Sequence, residues 1–195
     1  MKREEKEEHS RESVEEHLQL AVRRIEKLEL KTINSKVFRL TEFLQKKTQN
    51  KFWNSSDFYT SPRGYRMRLR VECSGFGDGK GHYISCYIYL VPGEYDDTLE
   101  WPFYGDVTLE LLNQLEDKNH RKGVICYNES TPGPGKERVT RGEVSKHGWG
   151  YSKFIPHAAL RYNPFTNCQH LKNDSLYFRV SVKVTSKTKP WLALT

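Results

Sequence analysis

Two incompatible hydrophobic periods lie back to back in this chain of 195 residues. From Val14 the apolar positions Val14, Leu18, Ala21, Ile25 and Leu28 advance by alternating steps of four and three, the seam of a coiled coil. From Val37 onward the pattern changes. Tyr65, Met67, Leu69, Val71 and Cys73 alternate with Arg66, Arg68, Arg70 and Glu72, as in a strand with one face in a core and one in water. A helix whose apolar stripe is a narrow seam cannot bury it alone, so the domain behind it is expected to be carried as one copy of an oligomer.

The helix reads from about Glu4 to Thr32, a length of about 43 Å at 1.5 Å per residue, and Asn34 and Ser35 end it. Short β runs follow at Val37–Phe43, Phe58–Thr60, Tyr65–Cys73, Tyr83–Val91, Val107–Leu112, Val124–Tyr127 and Leu176–Val184. Turn-rich stretches such as Thr131-Pro-Gly-Pro-Gly-Lys136 separate them, and no crossover helices alternate with the strands. The expected organisation is therefore a coiled-coil oligomerisation helix over residues 1–33 and an all-β antiparallel sandwich over residues 34–195. The β part is long enough for one domain and too short for two.

Charge is uneven along the chain. Residues 1–33 hold 8 Lys+Arg and 9 Asp+Glu, which leaves 24 against 16, or about +8, on the β part. Such a surface favours acidic partners. No apolar run reaches a membrane span and the charged N-terminus has no signal-peptide core, so the chain is expected to be cytoplasmic. Cys73, Cys86, Cys126 and Cys168 show no Cys-x-x-Cys pair, so they are expected as thiols rather than zinc ligands, with Cys73 and Cys86 acting as small apolar strand residues. Gly75-Phe-Gly-Asp-Gly-Lys-Gly81 has the glycines of a phosphate cradle, but His82–Leu90 alternates as a strand instead of opening a helix, which predicts a hairpin loop. Asp96, Asp97 and Glu100 read as turn caps, and no histidine or serine carries a ligand or nucleophile spacing. The chain is not expected to be an enzyme, and no metal, cofactor or nucleic acid is expected.

Gly93-Glu-Tyr-Asp-Asp-Thr-Leu-Glu-Trp-Pro-Phe103 followed by Val107-Thr-Leu-Glu-Leu-Leu-Asn-Gln114 resembles the signature of the C-terminal (MATH) domain of the TNF-receptor-associated factors, the TRAF family. Phe58-Tyr-Thr-Ser, Gly64-Tyr-Arg-Met-Arg-Leu69, Tyr83-Ile-Ser85, Gly148-Trp-Gly-Tyr-Ser-Lys-Phe-Ile155 and Asp174-Ser-Leu-Tyr-Phe-Arg179 agree in order, so the resemblance covers about residues 35–185. It implies an eight-stranded antiparallel β-sandwich, trimerised through Val14, Leu18, Ala21, Ile25 and Leu28. The implied role is a signalling adaptor that binds cytoplasmic tails of TNF-receptor-like receptors as extended peptides.

Position by position, the resemblance implies that Arg70 is the groove arginine that meets an acidic or aromatic peptide residue. Tyr87, Leu109 and Tyr127 match apolar groove positions. Trp149 and Tyr151 match an aromatic pair that forms a slot for a peptide proline, His147 stands where a lysine meets a peptide glutamate, and Gly148 and Gly150 let the backbone approach the ligand. Glu72 departs from the family, standing where an aromatic or histidine is common, and it is placed to pair with Arg70 and repel an acidic peptide. Phe38 replaces a common tryptophan, and no serine cluster lies between Thr131 and Glu143. A Pro-x-Glu-x-x-aromatic ligand is therefore expected rather than a glutamine-containing one. A second reading stays open, in which Lys46, Lys47, Lys51 and the arginine face bind anionic membrane phospholipid.

Overall fold

The computed structural model describes residues 35–140, residue 142, residues 147–185 and the single helical position 19. The seam positions Val14, Leu18, Ala21, Ile25 and Leu28 lie outside the described residues. The described strands are β1 (Ser35–Thr41), β2 (Phe52–Asn54), β3 (Phe58–Tyr59), β4 (Arg66–Glu72), β5 (Tyr83–Leu90), β6 (Gly105–Leu111), β7 (Arg121–Tyr127), β8 (Trp149–Pro156) and β9 (Ser175–Val184). They build two sheets, one in the order β1-β9-β6-β7 and one in the order β2-β4-β5-β8 with β3 beside β4. The pairs β2–β4, β4–β5, β5–β8, β6–β7 and β6–β9 are antiparallel. The fold is the expected all-β sandwich.

Strand parity decides what enters the core. On β4, Met67, Leu69 and Val71 are fully buried while Arg66, Arg68, Arg70 and Glu72 face outward. Ile84, Cys86, Ile88 and Leu90 continue the buried face on β5, and Val107, Leu109, Leu111, Phe178 and Val180 supply the facing layer from β6 and β9. Each such side chain, fully withdrawn from water, contributes roughly 1.5–3 kcal/mol.

Several boundaries differ from the sequence reading, each for a local reason. The run Val37–Phe43 is not one strand: Glu42 adopts a left-handed conformation (φ 55°) and starts helix α1 (Phe43–Thr48), whose Phe43 is buried. A second short helix, α2 (Gly133–Lys136), lies after β7. β7 begins at Arg121, earlier than its apolar residues suggest, because the register with β6 continues through Gly123 and Lys122. The glycine loop forms the β4–β5 hairpin, with Gly75, Gly77 and Gly81 at positive φ and a 3-10 turn at Gly77–Gly79. Asp96 caps its loop by accepting the Gly93 N–H at 2.8 Å, and all four cysteines are free thiols.

Candidate functional site

β7 and β8 are the edge strands of different sheets, and they meet on one open side of the sandwich. Three side chains clasp them. Trp149 Nε1 donates to the Cys126 carbonyl at 3.2 Å, Tyr151 Oη to the Val124 carbonyl at 2.6 Å, and Arg121 Nε to the Phe154 carbonyl at 3.0 Å. In an antiparallel ladder a residue's N–H and C=O point the same way, so Val124 and Cys126 turn their backbone groups away from β6 toward this edge. Gly123 makes the crossing feasible, since a Cβ there would lie 2.8 Å from the Tyr151 ring. Nothing in the sequence period singles Gly123 out. Its role depends on the position of a ring in another sheet.

The outer face of the β4–β5–β8 layer adjoins that edge. Register places Arg70 beside Tyr87, and Tyr87 beside Gly150. Arg70 lies over the Phe52 ring, 3.6 Å from its centroid, and 5.7 Å from that of Tyr89. Its Nε stands 2.9 Å from Glu72 Oε1, an ion pair by distance, although the angle is not that of a hydrogen bond. The anticipated Arg70–Glu72 pairing is therefore present. Phe76, 62% exposed, meets Tyr87 edge-on at 6.2 Å. Burial, more than the neighbouring Glu72 carboxylate, raises the Tyr87 pKa above the usual phenol value, so this hydroxyl stays neutral.

Of the positions named from sequence, Arg70, Glu72 and Tyr87 lie on the outer face, Trp149, Gly150 and Tyr151 lie on edge strand β8 with the two rings on its inner side opposite Ile88 and Cys86, and His147 and Gly148 precede β8. Two are corrected. Leu109 is 0% exposed and Tyr127 2% exposed, so neither offers a surface to a ligand. The pleat turns Leu109 inward with Val107 and Leu111, and Tyr127 packs on Phe103, its hydroxyl donating to the Ile88 carbonyl at 3.3 Å. The glycines also have reasons within the sheet. A Cβ on Gly150 would stand 2.1 Å from the Cys86 carbonyl oxygen, and one on Gly148 would stand 2.4 Å from the Tyr89 ring. Sequence reasoning missed Phe52, Phe76 and Tyr89. Phe52 belongs to a strand of three residues, too short to show a period, whereas Tyr89 shares the outward parity of Tyr87 and could have been found by counting.

The arginine face carries its own counter-charges. Asp57 holds Arg66 at 2.9 Å and Arg68 at 2.6 Å, and Glu42 holds Lys46 at 2.9 Å. Among the described residues no group of three or more His, Cys, Asp or Glu side chains is arranged to hold a metal, and no helix is long and apolar enough to cross a membrane.

Residues 50–179 match the family described as TRAF/meprin, MATH domain. This chain belongs to that family. It is 35% identical over 131 residues to TNF receptor-associated factor 5 of Mus musculus and 30% identical over 132 residues to TNF receptor-associated factor 6-A of Xenopus laevis, each alignment covering 67% of this chain. The chain spans only 22% and 23% of the length of these relatives. Among solved structures, a TRAF5 chain from Notothenia coriiceps superposes with a TM-score of 0.70 at 25% identity, covering 95% of this chain and 92% of that one. The membership accounts for the sandwich.

Proposed function

We propose that this chain is the peptide-binding part of a cytoplasmic signalling adaptor that takes extended receptor tails, of the TNF-receptor-like kind, along the free edge of β8 and over the adjoining outer face. The observation that carries the reading is the placement of Trp149 and Tyr151 on the free edge strand β8, at its inter-sheet side, next to the outer face that carries Tyr87 and Arg70. The rings of Trp149 and Tyr151 are held by their hydrogen bonds to β7, so a peptide proline docking on them orders little that was free. Arg70, already stacked on Phe52 and facing Glu72, suits an aromatic peptide side chain better than a carboxylate. The helix of residues 1–33 would gather three copies through Val14, Leu18, Ala21, Ile25 and Leu28. Weak single contacts to clustered tails would then gain avidity by roughly 10² or more. The phospholipid reading is less favoured, because Arg66, Arg68 and Lys46 are met by carboxylates.

The test is fluorescence anisotropy with a labelled Pro-x-Glu-x-x-aromatic peptide at near-physiological salt. Saturable binding is expected for the wild type, with roughly tenfold loss in Arg70→Ala and in Trp149→Ala. Glu72→Gln is expected to raise the affinity for a variant peptide whose aromatic residue is replaced by Asp. Binding that ignores both Arg70→Ala and Trp149→Ala, or that goes to anionic vesicles and falls steeply with salt, would refute the reading.

A further inference from the structure

A cleft of about 790 Å³ opens beyond the far ends of β7 and β8. Arg121 of β7, Lys153 of β8 and Arg161, which comes directly after the His157–Leu160 turn, line it, together with Tyr162 and Phe165. No Asp or Glu is among its lining residues. This sets the three cations apart from the paired arginines of the domain. Arg66, Arg68, Arg70, Arg138 and Arg179 each stand within 4 Å of a carboxylate, whereas Arg121, Lys153 and Arg161 have no carboxylate partner among the described residues. The nearby acids are already engaged: Glu116 with Lys118, and Asp117 with His120 and Arg179.

We propose that this cleft binds a phosphorylated aromatic side chain, the phosphotyrosyl group of a partner protein. The Arg121 Nε donates to the Phe154 carbonyl and its guanidinium sits 5.8 Å from the Phe154 ring centroid, so the fork is fixed in direction and its terminal amino groups remain to hold phosphate oxygens. A phosphate brings about −1.5 to −2 charges, which relieves the mutual repulsion of three cations in one cleft. The ring has its own recognition elements. Phe165, 97% exposed, sits on a turn closed by the Asn163–Cys168 bridge and by Asn119 Nδ2 donating to the Thr166 carbonyl at 2.9 Å, and Tyr162, 54% exposed, directly precedes that turn. Two large rings held out of the core at the rim of a cationic cleft match a ligand with a flat apolar body and an anionic tip. A phosphoseryl group brings the anionic tip without the flat apolar body.

The experiment is an NMR titration of the full chain at about 0.15 M salt, with a phosphotyrosyl peptide, its unphosphorylated form, a phosphoseryl peptide and inositol trisphosphate as probes. Saturable shifts are expected at Arg121, Lys153, Tyr162 and Phe165 with the phosphotyrosyl peptide. Affinity is expected to fall roughly tenfold or more in Lys153→Glu/Arg161→Glu, both exposed positions. Phe165→Ala, a ring with no core contact to lose, is expected to weaken it severalfold. Trp149→Ala leaves it unchanged, so this proposal and the β8 reading fail separately. No saturable binding, indifference to the double substitution or to Phe165→Ala, equal binding of the phosphoseryl peptide, or tighter binding of inositol trisphosphate would each overturn the proposal, the last in favour of a lipid headgroup.

Discussion

Replacing Gly150 with alanine tests whether β8 is held where the site needs it. The added Cβ would lie 2.1 Å from the Cys86 carbonyl oxygen, 2.9 Å from Tyr87 Cα and 3.1 Å from Cys86 C. All three are backbone atoms of β5, so no rotamer change relieves the clash, and β8 must retreat by about 1 Å. A ladder hydrogen bond of about 2.9 Å stretched by that much leaves bonding range. Two such bonds, at about 1 kcal/mol each net, add to about 1–3 kcal/mol of overpacking strain, a total near 3–5 kcal/mol. That is a large part of a total stability of about 5–15 kcal/mol. With a urea slope of about 2 kcal/mol per molar, the unfolding midpoint should fall by about 1.5 M or more. Gly148→Ala is the internal control. Its Cβ meets the Tyr89 ring, the far end of a partly exposed side chain that can swing aside, and stands 3.0 Å from Tyr87 Cβ, a tight contact but no backbone clash, so the cost should stay at about 1–2 kcal/mol. A Gly150→Ala midpoint within about 0.3 M of wild type, or a Gly148→Ala loss as large as that of Gly150→Ala, would refute the reasoning.

Tyr151→Phe removes the 2.6 Å hydrogen bond to the Val124 carbonyl while keeping the ring over Gly123, so a loss of about 1 kcal/mol is expected by urea titration, with faster amide exchange at Val124 and Cys126. Acid should weaken the domain before its carboxylates titrate. Burial lowers the His170 pKa below the usual histidine value: Nδ1 donates to the Leu112 carbonyl at 3.1 Å and Nε2 faces the Cys168 thiol at 3.4 Å, an arrangement suited to the neutral ring. His157 is shifted the same way, again mainly by burial. The unfolded chain therefore takes up these protons first, and stability present above about pH 6.5 is lost as pH falls toward the lowered folded values. The lowered carboxylates, Glu116 and Asp117, act only nearer pH 4. Urea midpoints at pH 7.5 and 5.5 should differ in that direction, less so in His170→Gln, and a flat profile would count against the assignment.

The layers of the fold were legible wherever a strand buries one face and wets the other. Tyr65–Cys73 alternates, and β4 obeys that alternation with Arg70 outward. Legibility failed where the period is carried by few or small residues. Trp149-Gly-Tyr-Ser-Lys alternates aromatic with glycine, which announces a motif but not an edge strand, and the three residues of β2 announce nothing, so Phe52 was lost. Leu109 and Tyr127 illustrate a different failure. Matching them to family positions ignored the pleat, although Val107, Leu109 and Leu111 already spelled one inward face.

The clasp between the two sheets constrains how any extended ligand could sit. The outward carbonyls of Val124 and Cys126 are engaged by Tyr151 and Trp149, so a peptide strand adding to β7 would have to displace two hydrogen bonds, at about 1 kcal/mol each, and free two rings before gaining its own. On β8 the carbonyls of Ser152 and Phe154 accept from Ser85 and Arg121, so a ligand along Trp149–Tyr151 and the outer face would leave those bonds in place. On the proposed reading a ligand there would meet Tyr87, held at its edge by Phe76, and then Arg70, whose charge already lies between the Phe52 ring and Glu72. A ligand carboxylate arriving at Arg70 would have to compete with Glu72 and be repelled by it, while a ring would need only to stack on the part of the guanidinium that Phe52 leaves open. Discrimination at this position is therefore set by the pair and not by the arginine, and an Arg70→Lys change, which keeps the charge and loses the planar surface, should weaken aromatic peptides more than acidic ones.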